Sequence, residues 1–555
     1  MAAVSERRRY EYQPLGPGEI RILRLRPGSD GSALSGDLLV VPIHADYLVY
    51  DALSYMWGDS TPTDVIYLSD EVLPIAANLT AALHHLRYIH RPLVLWVDAI
   101  SINQDDIAER ELQIRIMRQI FSLADTVRIW INEPDVDDTN EAVSALKDFS
   151  NASDREFEEL GPNPSFWDPV VPIFSNPYWN RAWVQQELAP EWGRHMMPFA
   201  LYYTPAANDI AIYADGIKLW QLLRLLTNCS NLAMTDTRDR VYALMHLAED
   251  YEEGGIEVDY AKNEVDVMIE AVAYHVARAQ DIDFLDDCAL GVDKCSVHDG
   301  GTCLDVPSWL PRVWLGCDTG HSLSSEKGPM QTRCLPNSIL TTERRLRVRG
   351  LRFNTVRRCL NRGIDSPETT IEEFWISSFG IYLRVFGGYK VQSLPRELYS
   401  ILVQNFVRIV PSFNDMVLSL STFLRLAQDP QLARREVGID GSLLVDLVKA
   451  LDGASIIVLG GILELLQDRM LILNETGNLG LISKCDLDEK TDEIWVALGC
   501  SYPIILRPTD NGRYQFVCAA YIPKLEEFQV LKDLSSYVQP EDKVGEWTVV
   551  DIEIE

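Results

Sequence analysis

Asp98, Asn103, Gln104 and Glu109 crowd into one short stretch, LWVDAISINQDDIAER. Carboxylates and carboxamides at that density suit a polar ligand site, with Asp98 or Glu109 as acid or base and Asn103 and Gln104 as binding groups. The structural alternative is that Asp106 and Glu109 cap a helix while Asn103 and Gln104 satisfy loop backbone. A second group lies in RAWVQQEL, where Glu187 follows Trp183 by four residues and so shares its helical face. A carboxylate beside an apolar ring gains proton affinity and can serve in acid–base chemistry. Pairing with Arg181 is the competing role. A third group, Thr235 to Arg240 (TDTRDR), packs charges at a helix start. There Arg238 could clamp a carboxylate or phosphate, or sit in a buried ion-pair network. Cys288, Cys295, His298 and Cys303 are zinc-ligand types without the close CxxC pairs of common zinc sites, so no metal is expected. No P-loop, GxGxxG, HExxH or GxSxG pattern occurs, and no cofactor is expected.

The elements that must position these residues follow from periodicity. Leu93–Val97 is an unbroken apolar run that suits an interior strand of a parallel sheet, with Asp98 at its carboxyl end. Asp106 and Glu109 have capping-box spacing, and Leu112, Ile116, Ile120 and Leu123 recur at helical spacing as a core face. Thr126–Ile131 reads as the next strand, which completes a β-α-β unit. Polar residues at the carboxyl ends of such strands are where open α/β sheets bind ligands. Earlier in the chain, Glu19–Leu25, Asp37–Ile43, Tyr50–Trp57 and Val65–Leu68 read as strands, and Asn78 reads as the N-cap of a helix.

The chain of 555 residues carries 50 Lys and Arg against 82 Asp and Glu, a net charge of −32. That balance opposes nonspecific nucleic-acid binding and docking on anionic membranes. The opening residues lack the apolar run of a signal peptide, and no stretch is long and apolar enough for a membrane span. A cytoplasmic, soluble protein with reduced thiols is the expectation. Five regions are expected: N-terminal strands over 1–46, an α/β core over 47–190, a helical extension with a loop insertion over 191–345, a mainly helical region over 346–464 and a β-rich module over 465–555. The expected core is a mostly parallel sheet flanked by helices.

Five blocks, in order, resemble the fungal heterokaryon-incompatibility (HET) domain: YDALSYMWGD, NLTAALHHLR, LWVDAISINQDDIAER, YWNRAWVQQEL and TDTRDRVYALM. VPSWLP, TGNLGLI, YPIILR and AAYI resemble segments that commonly follow it. Two positions depart from the family pattern: Ser101 stands where Cys is usual, and Thr237 where Pro is usual. The resemblance implies nonself recognition, with the domain as a trigger of programmed cell death. It also implies a remote TIR-like or flavodoxin-like core. Many TIR domains hydrolyse NAD with a Glu in the helix similar to QIFSLAD here, but the matching position is Phe121, so Asp98, Glu109 or Glu187 would have to act instead. Two readings follow: an effector that works through a protein partner or self-association, and a nucleotide hydrolase. A family member without an incompatibility role is a third. Asp98, Asn103, Gln104, Glu109, Trp183, Glu187 and Arg238 are expected to converge on one cleft.

Overall fold

The computed structural model describes residues 8–29, 31–45, 47–131, 175–187, 221–252, 254–279, 281–288, 306–315, 344–359, 401, 469–523, 540–544 and 546–555. The chain divides into two compact units, 1–263 and 264–555. Of the suggested zinc ligands only Cys288 is among the described residues. Its thiol is buried and donates to the Trp309 carbonyl at 3.2 Å. Among the described residues no helix is long and apolar enough to cross a membrane.

The first unit is built on a seven-stranded sheet. Its strands are β1 (Glu19–Leu25), β2 (Ser35–Pro42), β3 (Asp51–Tyr55), β4 (Pro62–Leu68), β5 (Glu71–Ala76), β6 (Leu93–Trp96) and β7 (Thr126–Trp130), in spatial order β5-β4-β2-β1-β6-β3-β7. The expectation of a mostly parallel sheet is corrected. β2–β4, β3–β6 and β3–β7 are parallel, but β1–β2, β1–β6 and β4–β5 are antiparallel. Short connections impose this, because a parallel pair needs a long crossover. Ser69, at φ 56°, turns β4 directly back into β5. The strands expected only to lead into the core instead extend the sheet. β6 is interior, between β1 and β3, as its apolar run predicts.

Helices cover this sheet: α1 (Ala77–Leu86), α2 (Asp98–Ser101) and α3 (Ile107–Leu123). Asp106 does cap α3, accepting from the Glu109 N–H at 3.1 Å. The buried face of α3 differs from the expected one. Ile114, Met117, Ile120 and Phe121 are buried with Glu109 and Gln113, while Leu112 and Leu123 are 57% and 44% exposed. Asn78 is not a cap; it lies inside α1, donates to the Met56 carbonyl and accepts from the Trp130 indole at 2.9 Å. A 3-10 turn, Pro177–Asn180, leads into α4 (residues 182–187). Two shorter helices follow, α5 (Leu222–Asn228) and α6 (Asp239–Tyr242).

The second unit opens with α7 (Glu264–Ala279), which buries Val265, Met268, Val272 and Val276 along one face. Trp309 of VPSWLP and Trp314, three residues beyond it, are fully buried. Its eight strands are β8 (Leu346–Cys359), β9 (Arg469–Asn474), β10 (Leu479–Ser483), β11 (Glu493–Ala497), β12 (Ile504–Pro508), β13 (Tyr514–Tyr521), β14 (Lys543–Val544) and β15 (Trp547–Ile554). Pairing runs β10-β9-β8-β11-β12-β13 and returns through β10–β13, so these strands close a ring. Every pairing is antiparallel except a single parallel contact, Tyr514 to Ile554. Closure leaves fewer exposed edges and encloses Leu351, Ile472, Ile482, Val496, Ile505 and Val517. LRVRGLRFNTV, which reads as a strand and turn in the sequence, forms β8 at the start of the region expected to be mainly helical. The remainder of 346–464, apart from helical residue 401, lies outside the described residues.

Candidate functional site

Strands β3 and β6 are adjacent and parallel, so Ser54–Trp57 and Asp98 emerge together at their carboxyl ends. Asp98 is half-buried. Its Oδ1 accepts from the Ala99 N–H at 2.7 Å and its Oδ2 from the Trp57 indole at 2.8 Å, while the Tyr55 hydroxyl adds a third contact. Surrounding protein removes water and pushes its pKa up, against the pull of these donors and of the Arg181 charge. Trp57 is 37% exposed and forms a solvent-facing rim.

The segment 175–187 sits over the end of β7, held by the Asn176 amide on the Ile131 carbonyl at 3.1 Å. Tyr178 and Val184 pack with Met56, Val127 and Ile131. This delivers Glu187, which is only 2% exposed, to the end of β3. One Glu187 oxygen accepts from the Ser54 hydroxyl, and the other lies 3.5 Å from an Arg181 guanidinium nitrogen. Ser54 also meets the Tyr178 hydroxyl at 2.5 Å. Burial raises the Glu187 pKa, the Asp98 charge raises it further, and Arg181 and Ser54 oppose the rise. Asp98 and Glu187 therefore compete for one guanidinium. Among the described residues, Arg181 Nη1 and both amide atoms of Gln186 are buried without a hydrogen-bond partner.

Other candidates go elsewhere. Gln104 donates to the Asp98 carbonyl at 3.1 Å and stays beside the cluster. The Asn103 side chain accepts from the Asp105 N–H, which shapes the loop. Glu109 binds the buried Arg21 through both oxygens, at 2.5 and 2.8 Å, and accepts from the Asn103 N–H at 2.7 Å. Arg21 also donates to the Ser101 carbonyl and lies over the Tyr12 ring, so this pair fixes the SINQ loop from beneath. Ser101 is fully buried, with its Oγ accepting from the Val97 N–H. Phe121 packs edge-on against Trp96 in the core.

Trp183 and Arg238 belong to a third network. The Trp183 indole donates to Asp239 at 3.2 Å, and the Tyr260 hydroxyl donates to the other Asp239 oxygen at 2.5 Å. Arg238 forks onto Asp236 and donates to the Tyr260 and Lys262 carbonyls. Burial pushes Asp239 up to about 6, with Asp236 adding to the rise. The spacing rules missed Ser54, Tyr55, Trp57 and Tyr178. Their one sequence signal was a dense cluster of hydroxyls and aromatics where β3 ends.

The sequence model described as Heterokaryon incompatibility protein (HET) matches residues 50–187. Those bounds run from β3 through Glu187. They therefore enclose the whole Asp98–Arg181–Glu187 cluster.

Residues 50–187 match the HET domain.

A relative, Heterokaryon incompatibility protein 6, OR allele, of Neurospora crassa, is 44% identical over 110 residues. That stretch is 18% of this chain and spans 16% of the relative's own length. No solved structure matches the chain. Within the HET segment, the paired carboxylates lie at the carboxyl ends of β3 and β6, the location where sheets of this kind bind ligands.

Proposed function

We propose that this chain is an incompatibility-type effector whose HET segment acts through Asp98, Arg181 and Glu187. The observation that carries this reading is one guanidinium serving two carboxylates whose proton affinity burial has raised. Such carboxylates hold or release a proton closer to neutral pH than free ones do. Asp98 is the more accessible of the two, beside the exposed Trp57 ring. The chemistry this suits is cleavage of an N-glycosidic bond in a nucleotide such as NAD. Trp57 stacks on a flat ring, and Asp98 acts on a ribose hydroxyl or an attacking water. Glu187 holds Arg181 in place beside Asp98. A TIR-like hydrolase of this kind would be toxic by depleting the nucleotide.

A second reading rests on a different observation. Ile107, Leu112 and Leu123 of α3 are exposed, an apolar display that suits self-association or a protein partner. Inducible expression in a fungal host separates the two, with viability and NAD content followed together. For the site-dependent reading, Asp98→Asn and Glu187→Gln remove toxicity while expression and melting temperature hold. NAD loss that tracks toxicity supports the hydrolase, and toxicity at constant NAD supports assembly. Full toxicity in both variants sinks the site.

A further inference from the structure

A cleft of about 360 Å³ opens on the outer face of α3, lined by His44, Arg115, Arg118, Gln119, His246 and Tyr251. Among the described residues no acidic side chain lines it, in a chain with a net charge of −32. Arg115 and Arg118 are three residues apart on one helix, so their guanidinium groups share a face. His246 comes from the segment after α6, and its ring edge meets Tyr251 at 5.1 Å. Arg118 donates to the His246 carbonyl, which joins the two walls. Arg115 reaches the Val258 carbonyl at 3.0 Å and Glu257 at 3.2 Å, with Glu257 66% exposed. An exposed pair of that kind is weak, so an arriving anion can displace the carboxylate.

The polar balance of the cleft is incomplete. Among the described residues, Arg115 Nε and His246 Nε2 beside the cleft are buried without a hydrogen-bond partner. One guanidinium fork satisfies the two oxygens of a carboxylate. Arg115, Arg118 and His246 together match the three terminal oxygens of a phosphate monoester. The volume lies in the range of small-ligand pockets and leaves room beyond the phosphate for a sugar or a base beside Tyr251.

We propose that this cleft binds a phosphate monoester of nucleotide size, at a site separate from the Asp98–Glu187 cluster. None of its residues belongs to that cluster, so the site stands independently of the function proposed above. Burial and the neighbouring Arg118 charge lower the His246 pKa to about 4, so the imidazole beside a bound dianion is neutral near pH 7.

Calorimetric titration of the full-length chain with AMP, adenosine and inorganic phosphate tests this. AMP is expected to bind in the range of about 1 mM or tighter, with adenosine and inorganic phosphate each weaker by about tenfold or more. Arg118→Ala, at an exposed position, is expected to weaken AMP about tenfold without changing the melting temperature. His246→Gln is expected to weaken it also. Asp98→Asn is expected to bind AMP as the native chain does. The proposal is overturned if AMP does not bind at about 10 mM, or if Arg118→Ala binds it unchanged. It is also overturned if inorganic phosphate binds as tightly as AMP, or if Asp98→Asn is the variant that abolishes binding.

Discussion

Arg21 and Glu109 make a buried, two-pronged ion pair beneath the SINQ loop. Removing one partner leaves a buried charge alone, at a cost of about 3–5 kcal/mol. Arg21→Met should therefore lower the midpoint of urea unfolding strongly, and Glu109→Gln should do so less because a carboxamide still accepts one bond. An unchanged midpoint in Arg21→Met would remove this pair from the loop's support. Asp239 carries a different test. Its folded pKa of about 6 exceeds that of a free carboxylate, so the folded state binds more protons between about pH 4 and pH 6. Stability from this group is present below that window and declines as pH rises through it. Relative to Asp239→Asn, the native chain should lose about 3 kcal/mol across the window and nothing further above it. Parallel stability curves for the two proteins would contradict the assignment.

The order of elements was legible in the sequence because apolar runs and helical periodicities alternate cleanly from Leu93 to Trp130. Strand direction was less so. Pairing sense depends on connection length and on which edge a strand joins, and the period of a strand carries neither. The face of α3 was misread for a related reason. Glu109 and Gln113 look like solvent residues, but one binds Arg21 and the other donates to the Glu19 carbonyl at 3.0 Å. Their burial rotates Leu112 and Leu123 outward. Asn78 shows the same competition between local rule and tertiary demand. It has the type and position of a cap, yet it ties the end of β3 to Trp130. This predicts an ordering of two variants. Asp106→Ala loses a true cap, worth about 1 kcal/mol. Asn78→Ala strands the buried Trp130 indole N–H as well as the Met56 carbonyl, at about 1–3 kcal/mol. Thermal melts should rank Asn78→Ala as the more damaging, and the reverse ranking would restore Asn78 to a capping role.

At the scale of the molecule, each unit draws its strands from distant parts of the chain. In the second unit, β8 pairs with β9, β11 and β15, although more than a hundred residues separate it from β9. Sequence reading placed a β-rich module at 465–555 because short apolar strands alternate there with Gly and Pro turns. Nothing local to those strands announces that β8 completes them. Without β8, the ring opens, and β9 and β11 each lose the neighbour that joins them. Gly350 of β8 passes so close to the Val496 carbonyl that an added Cβ would sit 2.6 Å from it, which marks how tightly β8 is seated against β11. A fragment of residues 465–555 should therefore lack a cooperative urea transition. Its apolar strand faces should bind a hydrophobic dye, as expected for a sheet with exposed edges. Adding a peptide of residues 344–360 in trans should restore some protection, since it supplies the missing strand. A fragment that unfolds cooperatively without the peptide would mean that β9–β13 and β15 close on themselves by another pairing.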